Sequence, residues 1–227
     1  MTAGAEDVAV LRRTAIAGLG ITDVGKVYGR SPGDFAADAA RRAVADAGLE
    51  MGDVDGLLLS NGISGGVDLR LQRELGLHDL RLLAQMTAAG ATAIAQVQYA
   101  ALAVASGLAS TVVCVHADAP LRPMESSGAT YRWGGGAGRG PAGVDALSFV
   151  GGMRTANSGY ALAARRHMAR YGTTSEQLGA LAVAQRGWAA KNPIARFRTP
   201  ITVEDHQASR WVVEPLHLLD CCMVSNG

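Results

Sequence analysis

The sequence predicts an α/β fold in which helices cover a central, mostly parallel sheet. Short apolar segments that end in turns alternate with longer stretches whose apolar residues recur at helical spacing. Residues 82–115 contain no charged side chain, and their pattern indicates a strand, a helix and a second strand. Strands and helices that alternate in this way form parallel sheets that are covered on both faces.

The first predicted element is a buried strand over residues 14–21, an apolar stretch that contains Gly18 and Gly20. A dinucleotide-binding fingerprint would need a third glycine and a helix that starts at once. Because neither follows here, we interpret the glycines as the exit of a strand.

A helix and a strand come next. Ser31 is a good N-cap, and Asp34 stands three residues later, where its carboxylate can accept from exposed amides. Apolar residues then recur at helical spacing until Gly48, which predicts the end of the helix. Residues 57–61 predict a short apolar strand, which a glycine-rich loop follows.

The helix predicted over residues 88–106 is apolar nearly all round, which is typical of a helix inside a fold. The alternative is a transmembrane segment. Gln96 and Gln98 argue against it, as does the β-branched sequence that begins a strand at 111–116. We therefore favour a βαβ unit, with Thr87 where the helix begins. Such a position often carries chemistry, because the first amides and the positive dipole end point out of the sheet.

Composition narrows the class of protein. The chain has 227 residues, 48% hydrophobic residues and a formal net charge of +1, as expected of a soluble globular protein. A charge so close to zero argues against a nucleic-acid partner or a membrane-surface role. The three cysteines lack metal-ligand spacing, and the first residues lack the apolar core of a signal peptide. We expect a cytoplasmic protein without a metal site.

Residues 119–158 form a long, glycine-dominated segment, which predicts a functional cover or an insertion. Tyr131, Trp133 and Arg139 within it are candidates to line a bulky hydrophobic substrate pocket. A phosphate-cradling role is the alternative, because Arg132 and Arg139 flank the glycines. We do not expect a P-loop, since no Gly-Lys-Ser/Thr sequence ends the glycine run.

Two helices follow, over residues 156–171 and 173–192. In the first, Leu162, Met168 and Tyr171 are predicted to point inward, while Arg165 and its neighbours form a solvated face or, alternatively, meet a phosphorylated ligand. The second starts at a capping box over 173–176 and has Leu178, Leu181 and Trp188 as its apolar positions. An extended segment, a helical turn near 204–209 and a Ser-Asn-Gly turn complete the chain, and this turn is expected to lead into a further strand.

Several stretches together resemble the N-terminal half of the thiolase superfamily, and specifically the sterol-carrier-protein-type thiolases and their lipid-transfer-protein-like aldolase relatives. They are AIAGLGIT at 15–22, AGATA at 89–93, residues 160–178, KNP at 191–193 and PLHLLDCC at 215–222. The resemblance implies a thiolase-like fold made of a βαβαβ half, packed with a second such half, and a homodimer. It divides the chain into the first part of this domain (1–118), a loop and helical insertion over the site (119–198) and a return to the domain (199–227).

The chain departs from the family at the start of the central helix. Thiolases carry a nucleophilic cysteine there, and the matching position in this sequence is Thr87. A hydroxyl is far less readily deprotonated than a thiol and needs an adjacent base to attack. We therefore predict that the protein is not an acyl-transferring thiolase. Cys221 and Cys222 lie in a segment that the family uses structurally, and we interpret them as small buried side chains.

The resemblance implies retro-aldol cleavage of a β-hydroxyacyl-CoA, with a steroid side-chain thioester as the expected substrate. This lyase reaction needs stabilisation of an enolate and a base, but no covalent intermediate. Two alternatives stay open: an acyltransferase with another nucleophile, and a non-catalytic acyl-CoA or lipid-binding subunit. The family also implies a small OB-fold partner protein. No cofactor is expected, since coenzyme A is part of the substrate.

Candidate catalytic residues are few. Thr87 occupies the position of the family's cysteine, although we expect it mainly to cap the helix. His116 and Asp118 follow a predicted strand at the edge where α/β sheets place ligands. The resemblance places the family's catalytic histidine or tyrosine groups in its second half, which this sequence lacks.

Overall fold

A computed structural model describes residues 14–62, 64–123, 143–153 and 155–227. The chain forms two compact units, one of Met1–Met124 with Ser225–Gly227 and one of Glu125–Val224. The predicted division at residues 118 and 198 stays a prediction. Among the helices in these ranges, none is both long and apolar enough to cross a membrane.

The first unit is built on three parallel strands, which confirms the predicted α/β fold. They are β1 (Gly56–Asn61), β2 (Leu82–Gln85) and β3 (Val112–Ala117), in the order β2-β1-β3. In this register Leu59 stands level with both Gln85 and Val115, and Ser60 is paired with His116. All three strands therefore end at one edge of the sheet.

Helix α1 (Pro32–Asp46) covers one face of this sheet, and its predicted capping box is present. The Ser31 hydroxyl accepts from the Asp34 amide at 3.1 Å, and the Asp34 carboxylate accepts from the Ser31 amide at 2.7 Å. The Ser31 hydroxyl also donates to the Asp34 carboxylate at 2.8 Å. The bonds that the carboxylate accepts from the Ser31 amide and, second, from the Ser31 hydroxyl keep the pKa of Asp34 below its ordinary value. The apolar face of α1 is buried together with the side chains on one face of β1 and β3: Phe35, Ala36, Ala40, Val44, Leu57, Leu59, Val113 and Val115.

The predicted strand over residues 14–21 is wrong. Within the described residues this segment joins no strand ladder; it lies against α1 instead. A Cβ atom on Gly18 would come within 2.1 Å of the Ala43 carbonyl oxygen, and one on Gly20 within 1.9 Å of the Ala39 oxygen. The two glycines therefore serve close packing on a helix backbone, which explains why both positions lack a side chain.

Among its described residues the first unit also contains α2 (Leu71–Glu74), α3 (Thr92–Ala105) and two 3-10 turns, Met51–Asp53 before β1 and Ala89–Ala91 before α3. The central helix was predicted to be buried, and this is wrong for the described residues. Only Thr92, Gln96 and Ala103 of α3 are buried, whereas Ile94 is 74% exposed. One face of α3 packs on the sheet, and the described residues leave the opposite apolar face uncovered.

The second unit is mainly helical. Its helices are α4 (Val144–Val150), α5 (Ala156–Tyr171), α6 (Ser175–Lys191) and α7 (Val203–Ala208), and they are followed by a hairpin of β4 (Trp211–Val213) and β5 (Leu216–His217). The capping box of α6 is formed by Thr174 and Gln177, one residue later than predicted. Leu162 and Tyr171 were predicted to point inward, but both are exposed. Leu181 and Trp188, two of the apolar positions of the next helix, are exposed as well, because these helices bury little of their apolar surface within the unit.

Candidate functional site

The predicted site lies where the three parallel strands end. Thr87 comes two residues after β2, and His116 lies next to the last residue of β3. Because β1 runs between these strands, Thr87 and His116 flank its carboxyl end, roughly 10 Å apart as judged from the usual spacing of strands. The start of α3 follows Thr87, so its first amides are also at this edge.

Thr87 does not cap the helix, contrary to the prediction. Its side chain is exposed, and the capping bonds belong to Thr92, whose hydroxyl accepts from the Ala88 amide at 2.8 Å and donates to the Ala89 carbonyl at 2.7 Å. Ala89 adopts a left-handed conformation with φ of 47°, which is unfavourable for a residue with a side chain. Such strain is typical of functional turns. The exposed Thr87 hydroxyl, two residues before this strained turn, can therefore contact a ligand.

His116 is paired with a buried hydroxyl. Ser60 is 3% exposed, and its Oγ lies 3.2 Å from Nδ1 of His116. The two residues are register partners on β1 and β3, so their side chains project from the same face of the sheet. This face carries Leu58, which packs with Ala103 of α3. His116 itself remains exposed.

Asp118 holds the loop that follows β1. Its Oδ1 atom accepts from the Ser64 amide at 3.0 Å, from the Ser64 hydroxyl and from the Ala119 amide at 2.9 Å. A Cβ atom on Gly62 would stand 2.0 Å from the Asp118 carboxyl carbon, so the carboxylate lies directly against the loop backbone. These contacts indicate a structural role, and the predicted catalytic role stays a prediction.

The thiols of the described residues offer no ready nucleophile at this edge. Cys114 lies two residues before His116 on β3, and although its side chain is exposed, desolvation by the surrounding protein raises its pKa to about 11. Cys221 and Cys222 belong to the second unit, and both are free thiols. Cys221 is half-buried, and this burial raises its pKa, whereas Cys222 is exposed. The predicted burial is therefore wrong for Cys222.

The second unit contains a cavity of about 520 Å³ between α4, α5 and β4. Leu147, Met153 and Leu162 line it, and Arg165 lines it together with its ion-pair partner Glu214, 3.0 Å away. The predicted pocket residues Tyr131, Trp133 and Arg139 lie outside the described part of the chain. In the ranges that are described, no group of three or more histidine, cysteine and acidic residues is arranged to hold a metal ion.

Sequence reasoning missed the burial of two polar residues, Ser60 at this site and Gln96 on α3. Gln96 is 2% exposed, and its amide nitrogen has no hydrogen-bond partner among the described residues. The position of each residue in the sequence could have indicated that it is buried. Ser60 ends an apolar strand, and Gln96 is one turn after Thr92, on the helix face that packs against the sheet.

Comparison with known proteins gives two close relatives. The chain is 43% identical over 218 residues to the steroid side-chain-cleaving aldolase of Thermomonospora curvata, covering 94% of this chain and 54% of that protein. It is 41% identical over 217 residues to the 17-hydroxy-3-oxo-4-pregnene-20-carboxyl-CoA lyase of Mycobacterium tuberculosis, covering 95% and 55%. No family model matches the sequence. The chain thus spans about half the length of these curated relatives.

Two solved structures are similar to this chain in fold. The Ltp2-ChsH2(DUF35) aldolase is 40% identical and superposes with a TM-score of 0.77, covering 93% of this chain and 53% of that one. A monomeric SCP2-thiolase-like protein from Mycobacterium smegmatis superposes with a TM-score of 0.61 over 91% of this chain and 42% of its own. At 19% identity the second likeness concerns the fold alone. The chain therefore has the thiolase-like fold, and it is a relative, over about half of their length, of the steroid side-chain-cleaving aldolases, as its sequence indicated.

Proposed function

We propose that the chain forms part of a lyase that cleaves a β-hydroxyacyl-CoA by retro-aldol reaction, with a steroid side-chain thioester as substrate. The observation that carries this proposal is Thr87, a hydroxyl at the exposed start of α3 where a thiolase would need a thiol. A retro-aldol reaction does not require that thiol. The chain is similar to a protein named steroid side-chain-cleaving aldolase and to one named 17-hydroxy-3-oxo-4-pregnene-20-carboxyl-CoA lyase, and both names support the same reaction.

The reaction balances without a covalent intermediate. A base removes the proton of the β-hydroxyl group, a carbonyl forms at Cβ, and the Cα–Cβ bond breaks. Its electron pair passes into the thioester as an enolate, and a proton then adds at Cα to give a shorter acyl-CoA and a ketone. Backbone amides at the start of α3 are suited to stabilise the enolate oxygen, since they are fixed donors at the positive end of the helix.

We further propose a homodimer that works with a small OB-fold partner in the cytoplasm. The two-component name of the similar Ltp2-ChsH2(DUF35) aldolase supports a partner subunit. The free thiols of Cys114, Cys221 and Cys222 fit a reducing compartment. Coenzyme A belongs to the substrate, and we propose no further cofactor.

The test is incubation of the complete protein and its partner with a β-hydroxyacyl-CoA of a steroid, followed by mass spectrometry. We expect equimolar ketone and shortened acyl-CoA, with no mass added to the chain. Acyl groups retained on the protein would replace the lyase by the acyltransferase alternative. Tight binding without turnover would leave a binding subunit instead.

A further inference from the structure

The Ser60–His116 pair defines which nitrogen of the imidazole carries the proton. Ser60 is 3% exposed, and its hydroxyl lies 3.2 Å from Nδ1 of His116. A serine hydroxyl has one proton to donate, and a buried one needs an acceptor. Among the described residues, Nδ1 of His116 is the acceptor within reach of this hydroxyl.

The opposite arrangement would be less favourable. If Nδ1 carried the proton and donated to Ser60, the hydroxyl proton of Ser60 would be buried without a partner among the described residues. Leaving a buried donor unpaired is costly, so the hydroxyl donates and Nδ1 accepts. A neutral imidazole then carries its proton on Nε2, and it presents a hydrogen-bond donor there.

We infer that Ser60 fixes His116 as the Nε2–H tautomer, and that His116 donates this hydrogen bond to an oxygen atom of the acyl-CoA substrate. The second part rests on the proposed function. His116 is exposed at the edge where parallel strands end and ligands bind, and its side chain projects from the sheet face that α3 packs on. Thioester and β-hydroxyl oxygens are the acceptors that such a substrate offers. His116 is thus a donor in the site, and the proton acceptor of the reaction is another group.

The tautomer is tested on the 227-residue chain with ¹⁵N-labelled histidine, because protonated and unprotonated ring nitrogens have well-separated ¹⁵N shifts. The His116 signals are assigned by their loss in H116Q. In the neutral imidazole we expect a protonated Nε2 and an unprotonated, hydrogen-bonded Nδ1, and Ser60→Ala is expected to move the Nδ1 signal. A protonated Nδ1, or a signal that Ser60→Ala leaves in place in a folded protein, overturns the assignment.

The donor role is tested by isosteric replacement in the complete, acyl-CoA-cleaving assembly. The amide nitrogen of Gln takes the place of Nε2, whereas that of Asn takes the place of Nδ1. We expect H116Q to keep kcat/KM within about threefold of the native value and H116N to lower it about tenfold or more, the usual range for one lost hydrogen bond. H78Q and H78N, at an exposed histidine outside the site, are matched controls that should both leave kcat/KM unchanged.

Equal kcat/KM values for H116Q and H116N overturn the donor role. A native assembly that cleaves no β-hydroxyacyl-CoA disproves the proposed function and the donor role that depends on it. The NMR measurement still decides the tautomer in that case, so the two failures are distinguishable.

Discussion

The side-chain amide of Asn226 binds both backbone groups of Leu121. Its Oδ1 accepts from the Leu121 amide at 2.7 Å, and its Nδ2 donates to the Leu121 carbonyl at 3.1 Å and to the Val27 carbonyl at 2.8 Å. Asn226 is 2% exposed, and its own backbone exchanges two hydrogen bonds with Gly25. The Ser-Asn-Gly sequence, predicted to be a turn, instead forms an antiparallel bridge with Gly25. It ties the exit of β3 to the segment that precedes α1.

Asn226→Ala should lower the free energy of unfolding by about 3 kcal/mol, because it leaves buried backbone groups unpaired. Asn226→Asp should cost at least as much, since a carboxylate cannot donate to the two carbonyls. Denaturant unfolding measures both changes. Asn192→Ala is the control, because Asn192 is exposed and its side chain accepts only from Ile194 among the described residues. We call the hydrogen bonds of the Asn226 side chain to Val27 and Leu121 the Asn226 clamp. Equal losses of unfolding free energy at positions 226 and 192 would contradict a stabilising role of this clamp.

Gln96→Met should raise the free energy of unfolding by about 1 kcal/mol. The native amide nitrogen is buried without a hydrogen-bond partner among the described residues, and a methionine of similar size removes that cost. Chemical denaturation of the two proteins measures the difference. A loss of stability of similar size would mean that the amide has a partner in the assembled protein.

Gly20→Ala should lower the free energy of unfolding by more than about 2 kcal/mol, since its Cβ would stand 1.9 Å from the Ala39 carbonyl oxygen and the packing on α1 would have to open. Gly187→Ala is the matched control. Within the described part of the chain, no atom beyond the neighbouring residues and backbone of its own helix lies within 4 Å of the added Cβ. Alanine is the better helix former by about 1 kcal/mol, so this variant should be slightly more stable. Thermal unfolding of both variants checks the sign of each change.

Thr87→Cys should create a thiol that is far more reactive than that of Cys114. A thiol at the start of a helix has its pKa lowered by the positive dipole end and the free amides. Native Cys114 has a pKa of about 11, so at pH 8 about one thousandth of it is thiolate. Alkylation by iodoacetamide, located by peptide mass spectrometry, should therefore modify position 87 well before Cys114. Cys114 modification should rise about tenfold per pH unit up to pH 10. Equal rates at pH 8 would contradict this view of the helix start.

The regular elements with strong local signals could be predicted from the sequence. The α1 helix has its capping box at Ser31, and the three apolar strands were found because a buried parallel strand is apolar on both faces. Residues 14–21 are as apolar as these three strands, although they form no strand among the described residues. Their packing on α1 depends on Ala39 and Ala43, which local patterns do not reveal.

The site was predictable only in outline. The edge that gathers Thr87 and His116 follows from parallel topology, and the absence of a thiol at Thr87 is plain in the sequence. The pairing of Ser60 with His116 depends on the register between β1 and β3, which the sequence does not specify. Likewise, Thr92 makes the capping bonds predicted for Thr87, because the chain makes a 3-10 turn before α3.

The Asn226 clamp also orders the events of biosynthesis. Its bonds to Val27 and Leu121 join residues that are 199 and 105 positions apart. The whole second unit is synthesised between Leu121 and Asn226. The first unit therefore leaves the ribosome before the hydrogen bonds of Asn226 to Val27 and Leu121 can form. Contacts this distant in sequence form late and slow folding. A ribosome that pauses within the second unit would therefore hold the sheet and α1 in a nearly complete state, with the carbonyls of Val27 and Leu121 still open to water.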